Sequence, residues 1–307
     1  MSKPRAIIDL GTNTFQLLIA EPDASGNLNT IHEMHTAVGL GKGAMETGLL
    51  QLDAMARALE ALERFHWESQ NKGCESILGI GTSILRNARN ASAFIEVVET
   101  QLGIPIQVIS GMQEAEYIFQ GIVNSMPKPW NEVSMVMDIG GGSVEFIIFQ
   151  GQEILFKSSV EVGGLKLQSM FQVDGEYSLQ IEEELGEHLF AELIDVQDAV
   201  ALFRPRYLIG AAGAFETLAD IQLAHGYLNQ IEKTNELNLA GFYLLKEKMA
   251  GMSLAERQEM PGMKAFRASM IPYANSLIAH ILDQEIIESL WMSMYSLKEG
   301  YWYSGQQ

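Results

Sequence analysis

Two short segments join a carboxylate to a glycine-bearing turn: Asp9-Leu10-Gly11-Thr12-Asn13 and Asp138-Ile139-Gly140-Gly141-Gly142-Ser143. Each follows an apolar run and precedes another, Ala6–Asp9 before Phe15–Ala20 and Met135–Asp138 before Val144–Phe149. That is the pattern of a β-hairpin with an aspartate at its tip. Asp and Gly are ordinary turn residues, so one such hairpin says little about chemistry. The second copy says more. Gly140-Gly141-Gly142 strips side chains from the turn, so backbone N–H groups can close around phosphate oxygens. Facing turns, with Gly11, Thr12 and Asn13 on one side and Gly140 to Ser143 on the other, can grip a phosphate chain. Asp9, Asp138 and Glu145 supply the carboxylate oxygen that suits Mg²⁺, whose other positions go to water and phosphate. Glu145 lies on the returning strand, and alternation alone leaves open whether it faces a cleft or the core.

The elements that would hold these residues repeat along the chain. A helical pattern runs from about Leu52 to Asn71, with Leu59, Leu62 and Phe65 on its apolar side. Ser76–Ile80 reads as a strand ending in Gly81-Thr82-Ser83, followed by a helix carrying Arg86 and Arg89. After a short strand at Ile104–Ile109, Ser110-Gly111-Met112-Gln113 has the form of a capping box opening another helix. The order β-β-β-α-β-α-β-α then restarts near residue 133. Asp138 lies 129 residues after Asp9, and Gly210, closing the strand Tyr207–Gly210, lies 129 after Gly81. A duplicated unit accounts for both offsets. The expected division is 1–126 and 127–307, near Pro127-Lys128-Pro129. Residues 176–201 and 236–282 read as mainly helical, and Trp291-Met292-Ser293-Met294-Tyr295 as core or dimer packing.

A length of 307 residues and 47% hydrophobic composition suit two packed domains. A single cysteine, Cys74, excludes an internal disulfide framework and fits a reducing, cytoplasmic setting. No signal-like or membrane-spanning apolar run is present. The net charge of −19 argues against nucleic acid or an anionic membrane as partner. Residues 1–126 hold 14 acidic and 8 basic residues, a net −6, and the remainder 25 and 12, a net −13. The first half is therefore the better home for cations that meet an anionic substrate. His32 and His35, three apart on a strand, point to opposite faces and make no metal pair.

Four motifs taken together resemble the exopolyphosphatase/guanosine pentaphosphate phosphohydrolase family over nearly the whole chain: Asp9 to Asn13, Gly81 through Arg86 to Asn90, Gly111 to Glu116, and Asp138 to Glu145. The resemblance implies an α/β fold of two ribonuclease-H-like domains flanking an interdomain cleft, as in the actin, sugar-kinase and heat-shock-chaperone ATPase superfamily. It implies Mg²⁺-dependent hydrolysis of the terminal phosphate of inorganic polyphosphate, with guanosine pentaphosphate as a second candidate substrate. Glu114 then resembles the general base for the attacking water. By position alone it is an acid in the first turn of a helix, where the dipole favours its charge. Arg86 matches a phosphate-binding arginine, whose fork suits two phosphate oxygens. The chain departs from the family at Gly39-Leu40-Gly41, where an arginine usually precedes Leu-Gly, and Lys42 is the nearest substitute. It departs again at Gln113, at Ala211-Ala212, at Ser269 and at Ser296-Leu297-Lys298. Two other readings stand beside the hydrolase: an ATP-dependent kinase of the same superfamily, and a weakly catalytic sensor of phosphorylated nucleotides. A homodimer is expected on frequency alone.

Overall fold

The computed structural model describes residues 3–126, 131–172 and 177–305. The boundary signal at Pro127-Lys128-Pro129 lies outside them. In chain order the first elements are β1 (Arg5–Leu10), β2 (Thr14–Pro22), β3 (Leu28–Ala37), α1 (Ala44–Thr47), α2 (Leu52–Asn71), β4 (Ser76–Gly81), α3 (Ser83–Asn87), α4 (Ala91–Leu102), β5 (Ile106–Val108) and α5 (Gly111–Ser125). There follow β6 (Ser134–Ile139), β7 (Val144–Gln150), β8 (Glu153–Val160), α6 (Gly164–Phe171), α7 (Leu179–Glu192), α8 (Ile194–Phe203), β9 (Tyr207–Ala211) and α9 (Gly213–Ala224). The last are β10 (Thr234–Leu237), α10 (Leu239–Ala250), α11 (Leu254–Gln258), a 3₁₀ turn at Ala265–Arg267, α12 (Ile271–Leu282), β11 (Ser289–Ser293) and α13 (Leu297–Ser304).

The chain forms two compact units. Unit one is Met1–Gly121 with Leu297–Gln307, and unit two is Ile122–Ser296. The division expected at 126 and 127 is thus drawn a turn earlier within α5, and the final segment returns to the first unit. That return is invisible to a linear reading of composition. In unit one α13 packs on β1, β2 and β3. Trp302 is buried with the Arg5 guanidinium 5.7 Å above its ring. Gly300 sits where a Cβ would fall 1.5 Å from the Tyr117 carbonyl oxygen, so only a bare backbone fits against α5.

Each unit is built on a mixed sheet. In unit one the strand order is β3-β2-β1-β4-β5, with β1, β2 and β3 antiparallel and β4 and β5 running parallel to β1. In unit two β8-β7-β6-β9-β11 repeats that order and sense, and β10 adds an antiparallel edge. This is the duplicated ribonuclease-H-like α/β fold. Strands such as β6 and β7 are almost continuously buried because the sheet is covered on both faces. The Trp291–Tyr295 segment supplies β11 between β9 and β10, with Leu290 and Met292 buried in the core.

Strand registers refine the repeat. Asp9 pairs with Gln16, and Asp138 with Glu145. Across the parallel pair, Asp9 meets Ile80 whereas Asp138 meets Ala211. The counterpart of Gly81 is therefore Ala212, and Gly210 answers to Gly79. The shared offset of 129 holds for the aspartates and fails for the glycines. Gly210 has its own reason: a Cβ there would overlap the Phe215 ring at 1.9 Å.

Candidate functional site

In unit one the β1–β2 turn carries Asp9, Gly11, Thr12 and Asn13. A Cβ on Gly11 would lie 2.7 Å from the Thr14 carbonyl oxygen, so the tight turn requires glycine, and that bare position faces Asp9 Oδ1 at 3.9 Å. The turn is held from outside by the 38–41 loop: Val38 and Gly39 amides donate to the Asn13 carbonyl at 3.0 and 2.8 Å, and Gly41 donates to Thr12 at 2.8 Å. Beside it, buried Thr82 donates its hydroxyl to the Leu10 carbonyl at 3.3 Å, tying the start of α3 to the tip of β1.

Arg86 and Glu114 come together. The capping box expected at Ser110 forms, with the Gln113 amide donating to Ser110 Oγ at 3.2 Å and the Ser110 amide donating to Gln113 Oε1 at 3.0 Å. It fixes the first turn of α5 and places Glu114 there. Arg86, in the last turn of α3, donates from Nη1 to Glu114 Oε2 at 2.6 Å and to the Ile109 carbonyl at 3.1 Å. The two side chains are only 16% and 10% exposed, so the pair is held largely away from water in a charge-assisted hydrogen bond. Glu114 is more than a helix-end acid, since its charge answers a guanidinium from another helix.

In unit two the turn Gly140–Ser143 is gripped on its carbonyl side. Gly164 donates to Gly140 O at 2.9 Å, Leu165 and Lys166 to Gly141 O at 3.0 Å, and Gly163 to Gly142 O at 3.0 Å. A planar trans peptide points its N–H opposite to its C=O. The amides of Gly141, Gly142 and Ser143 consequently aim away from α6, the disposition of an anion-binding nest. Gly163 is obligatory here, because a Cβ would come within 2.5 Å of the Gly141 and Gly142 backbone.

The β6–β7 register places Glu145 relative to Asp138. Directly opposed residues of an antiparallel pair project to one face, so Glu145 shares a sheet face with Asp138. It is buried and accepts a 2.7 Å bond from Ser159 Oγ on β8. Asp138 accepts a hydrogen bond from Ser296 Oγ. Among the described residues no group of three or more His, Cys, Asp or Glu side chains gathers into a metal cage. Two neighbouring carboxylates do fit Mg²⁺, which keeps several waters and takes only one or two protein carboxylates.

Near Asp138 stands Arg267, which the sequence reading passed over although it heads Arg267-Ala268-Ser269. Its Nη1 would lie 3.3 Å from a Cβ on Gly213, at the start of α9, and its buried Nε has no hydrogen-bond acceptor among the described residues. Burial pushes the guanidinium below its ordinary pKa, while the charges of Glu216, Asp138 and Asp220 act to raise it. The preceding Ala212 holds φ 44° and ψ −150°, a conformation costly for a residue with a Cβ. A cation, a strained turn and a helix start thus meet next to Ala211-Ala212, where the chain departs from the family's motif.

The profile of the Ppx/GppA phosphatase family matches residues 18–307. The chain belongs to that family. An exopolyphosphatase from Cytophaga hutchinsonii is similar at 34% identity and a TM-score of 0.93, covering 99% of this chain and 97% of that one. The Ppx/GppA family member of Aquifex aeolicus, at 24% identity over 99% and 97% of the two chains, shares the fold with a TM-score of 0.79. No helix among the described residues is long and apolar enough to cross a membrane.

Proposed function

We propose that this chain is an exopolyphosphatase that hydrolyses the terminal phosphate of inorganic polyphosphate, with guanosine pentaphosphate as a second substrate. The observation carrying this reading is the Arg86–Glu114 pair, a guanidinium and a carboxylate held together at 2.6 Å, with Arg86 on the helix whose N-cap Thr82 bonds to Leu10 at the end of β1. Arg86 has the geometry to bind two oxygens of a phosphate group. When phosphate draws part of that guanidinium, Glu114 is left positioned to accept a proton from water. The water oxygen attacks the terminal phosphorus, the bridging P–O bond breaks, and its electron pair stays on the shortened chain. One water is consumed and one orthophosphate released per turn.

Gly11, Thr12 and Asn13 in unit one, and the amides of Gly141, Gly142 and Ser143 in unit two, are the proposed phosphate cradles. Asp138 and Glu145 are the proposed Mg²⁺ ligands, and Asp9, the equivalent carboxylate of unit one, is proposed as another. Bound Mg²⁺ would supply positive charge to phosphate oxygens in a chain whose net charge is −19. Similarity to the exopolyphosphatase of Cytophaga hutchinsonii supports the substrate class.

The test is release of orthophosphate from long polyphosphate, tripolyphosphate, guanosine pentaphosphate and ATP, each with Mg²⁺ and with a chelator. Release from polyphosphate that stops on chelation is expected. Phosphate transfer from ATP to an acceptor, without hydrolysis, would assign a kinase. Binding without turnover of any of the four would assign a sensor.

A further inference from the structure

The geometry points to Arg57 as an anion-binding group of unit one, forming a second phosphate subsite at the rim of the β1–β2 turn. It rests on the phosphoanhydride reading above for its substrate class, but its evidence is separate.

Arg57 lies on α2, far in sequence from the turn. Its Nε donates to the Val38 carbonyl at 2.9 Å, and the Val38 amide donates in turn to the Asn13 carbonyl at 3.0 Å. Two hydrogen bonds therefore connect the guanidinium to the turn that carries Thr12 and Asn13. Gly39, the next residue, has φ +63°, where a side chain is disfavoured, and a Cβ built there would lie 3.9 Å from Arg57 Nη2. A side chain at position 39 would therefore abut Nη2, and glycine leaves that space unfilled. Nη2 has no acceptor among the described residues. Nη1 is paired with Asp53 at 2.8 Å, one helical turn earlier, in a pair 41% and 74% exposed. Such an exposed pair contributes little and is easily exchanged.

These facts describe a guanidinium that is oriented but not consumed. The Val38 carbonyl fixes its plane, the glycine leaves its outer edge open, and a weakly held aspartate occupies the side that an anion would contest. An oligophosphate whose terminal group sits at the turn would bring a neighbouring phosphate to this edge, exchanging Asp53 for a better-matched, more highly charged acceptor. Lys42 is the cation of the 38–42 loop itself. It is exposed, and among the described residues no hydrogen bond or ion pair holds its ammonium toward the turn. The oriented group is Arg57.

The test uses tripolyphosphate binding by calorimetry on the intact chain, with salt titration and thermal midpoints. Arg57→Gln should weaken binding by about tenfold and flatten its salt dependence, as the loss of one charge-assisted contact would. Arg57→Lys should recover part of it. Asp53→Asn should tighten binding severalfold, because the competing carboxylate is gone. A purely structural Arg57–Asp53 pair predicts the opposite pattern: both variants lower the midpoint and neither moves the affinity. Unchanged affinity in both Arg57→Gln and Asp53→Asn overturns the subsite, as does a loss found in Lys42→Ala and absent in Arg57→Gln. If Arg57→Gln fails to fold, Asp53→Asn decides alone, and an unchanged affinity overturns the proposal. Tripolyphosphate that binds in this Arg57-dependent way without being hydrolysed would retain the subsite and reject the exopolyphosphatase reading.

Discussion

Arg86 of α3 and Glu114 of α5 form one ion pair of 2.6 Å, so the proposed phosphate ligand and the proposed base constrain each other before any substrate arrives. Substitution of either therefore has a chemical and a structural consequence, and the two must be measured together.

Glu114→Gln keeps the shape and an acceptor for Arg86 but cannot take a proton. Turnover of polyphosphate should fall roughly 10²- to 10⁴-fold with a smaller change in KM. Wild-type kcat in this variant would remove Glu114 from the chemistry, whatever the thermal midpoint does.

Arg86→Ala removes the guanidinium from the mostly buried Glu114 carboxylate and should cost about 3 kcal/mol in urea unfolding, in the range for breaking a buried pair. Arg86→Lys keeps the charge and should retain most of that stability while raising KM, because an ammonium cannot fork across two phosphate oxygens. Equal KM in the lysine variant and the wild type would show that the fork is not used.

Asp138→Asn removes charge beside Glu145 without changing size. Activity should drop most at limiting Mg²⁺ and recover partly at high Mg²⁺. An Mg²⁺ activation curve identical to wild type would take Asp138 out of metal binding.

His280, on α12, is buried enough that its pKa lies below the ordinary value, with Asp283 acting against that shift. The Gln197 side-chain nitrogen lies 3.2 Å from its Nε2, an approach that suits the neutral ring. As pH falls, the unfolded chain gains the proton first. The stability contribution is present above the unfolded value of about 6.5 and is lost as pH drops through it. Urea midpoints between pH 7.5 and 5 should decline, and His280→Gln should remove part of that slope. A parallel slope in the variant would assign the decline to other groups.

Gly300→Ala should destabilise unit one severely, since its methyl would meet the Tyr117 carbonyl. A thermal midpoint within a degree or two of wild type would mean that α13 can shift away at little cost.

Much of this was legible in the sequence. The bounds of α2 at Leu52 and Asn71 followed from apolar periodicity, and the two aspartate turns from their flanking strand pattern. The capping box at Ser110 was local chemistry and formed as read. What escaped depends on contacts between residues distant in the chain. Glu145 needed the β6–β7 register, and the false match of Gly81 with Gly210 needed the β1–β4 and β6–β9 registers. Arg267 and Arg57 gain meaning only from Gly213 and Gly39, which packing brings to them. Periodicity carries no information about such pairs.

The return of α13 to unit one has a consequence for biosynthesis. Unit two is continuous in sequence and can close as soon as residue 296 has left the ribosome. Unit one is begun first but lacks the helix that buries Trp302 against Arg5 until residues 297–304 emerge. Its nascent β1–β2–β3 sheet must wait with an uncovered apolar face through the synthesis of the whole second unit. The N-terminal half should therefore be the later to become protease-resistant, and the one that most depends on chaperone shielding during translation.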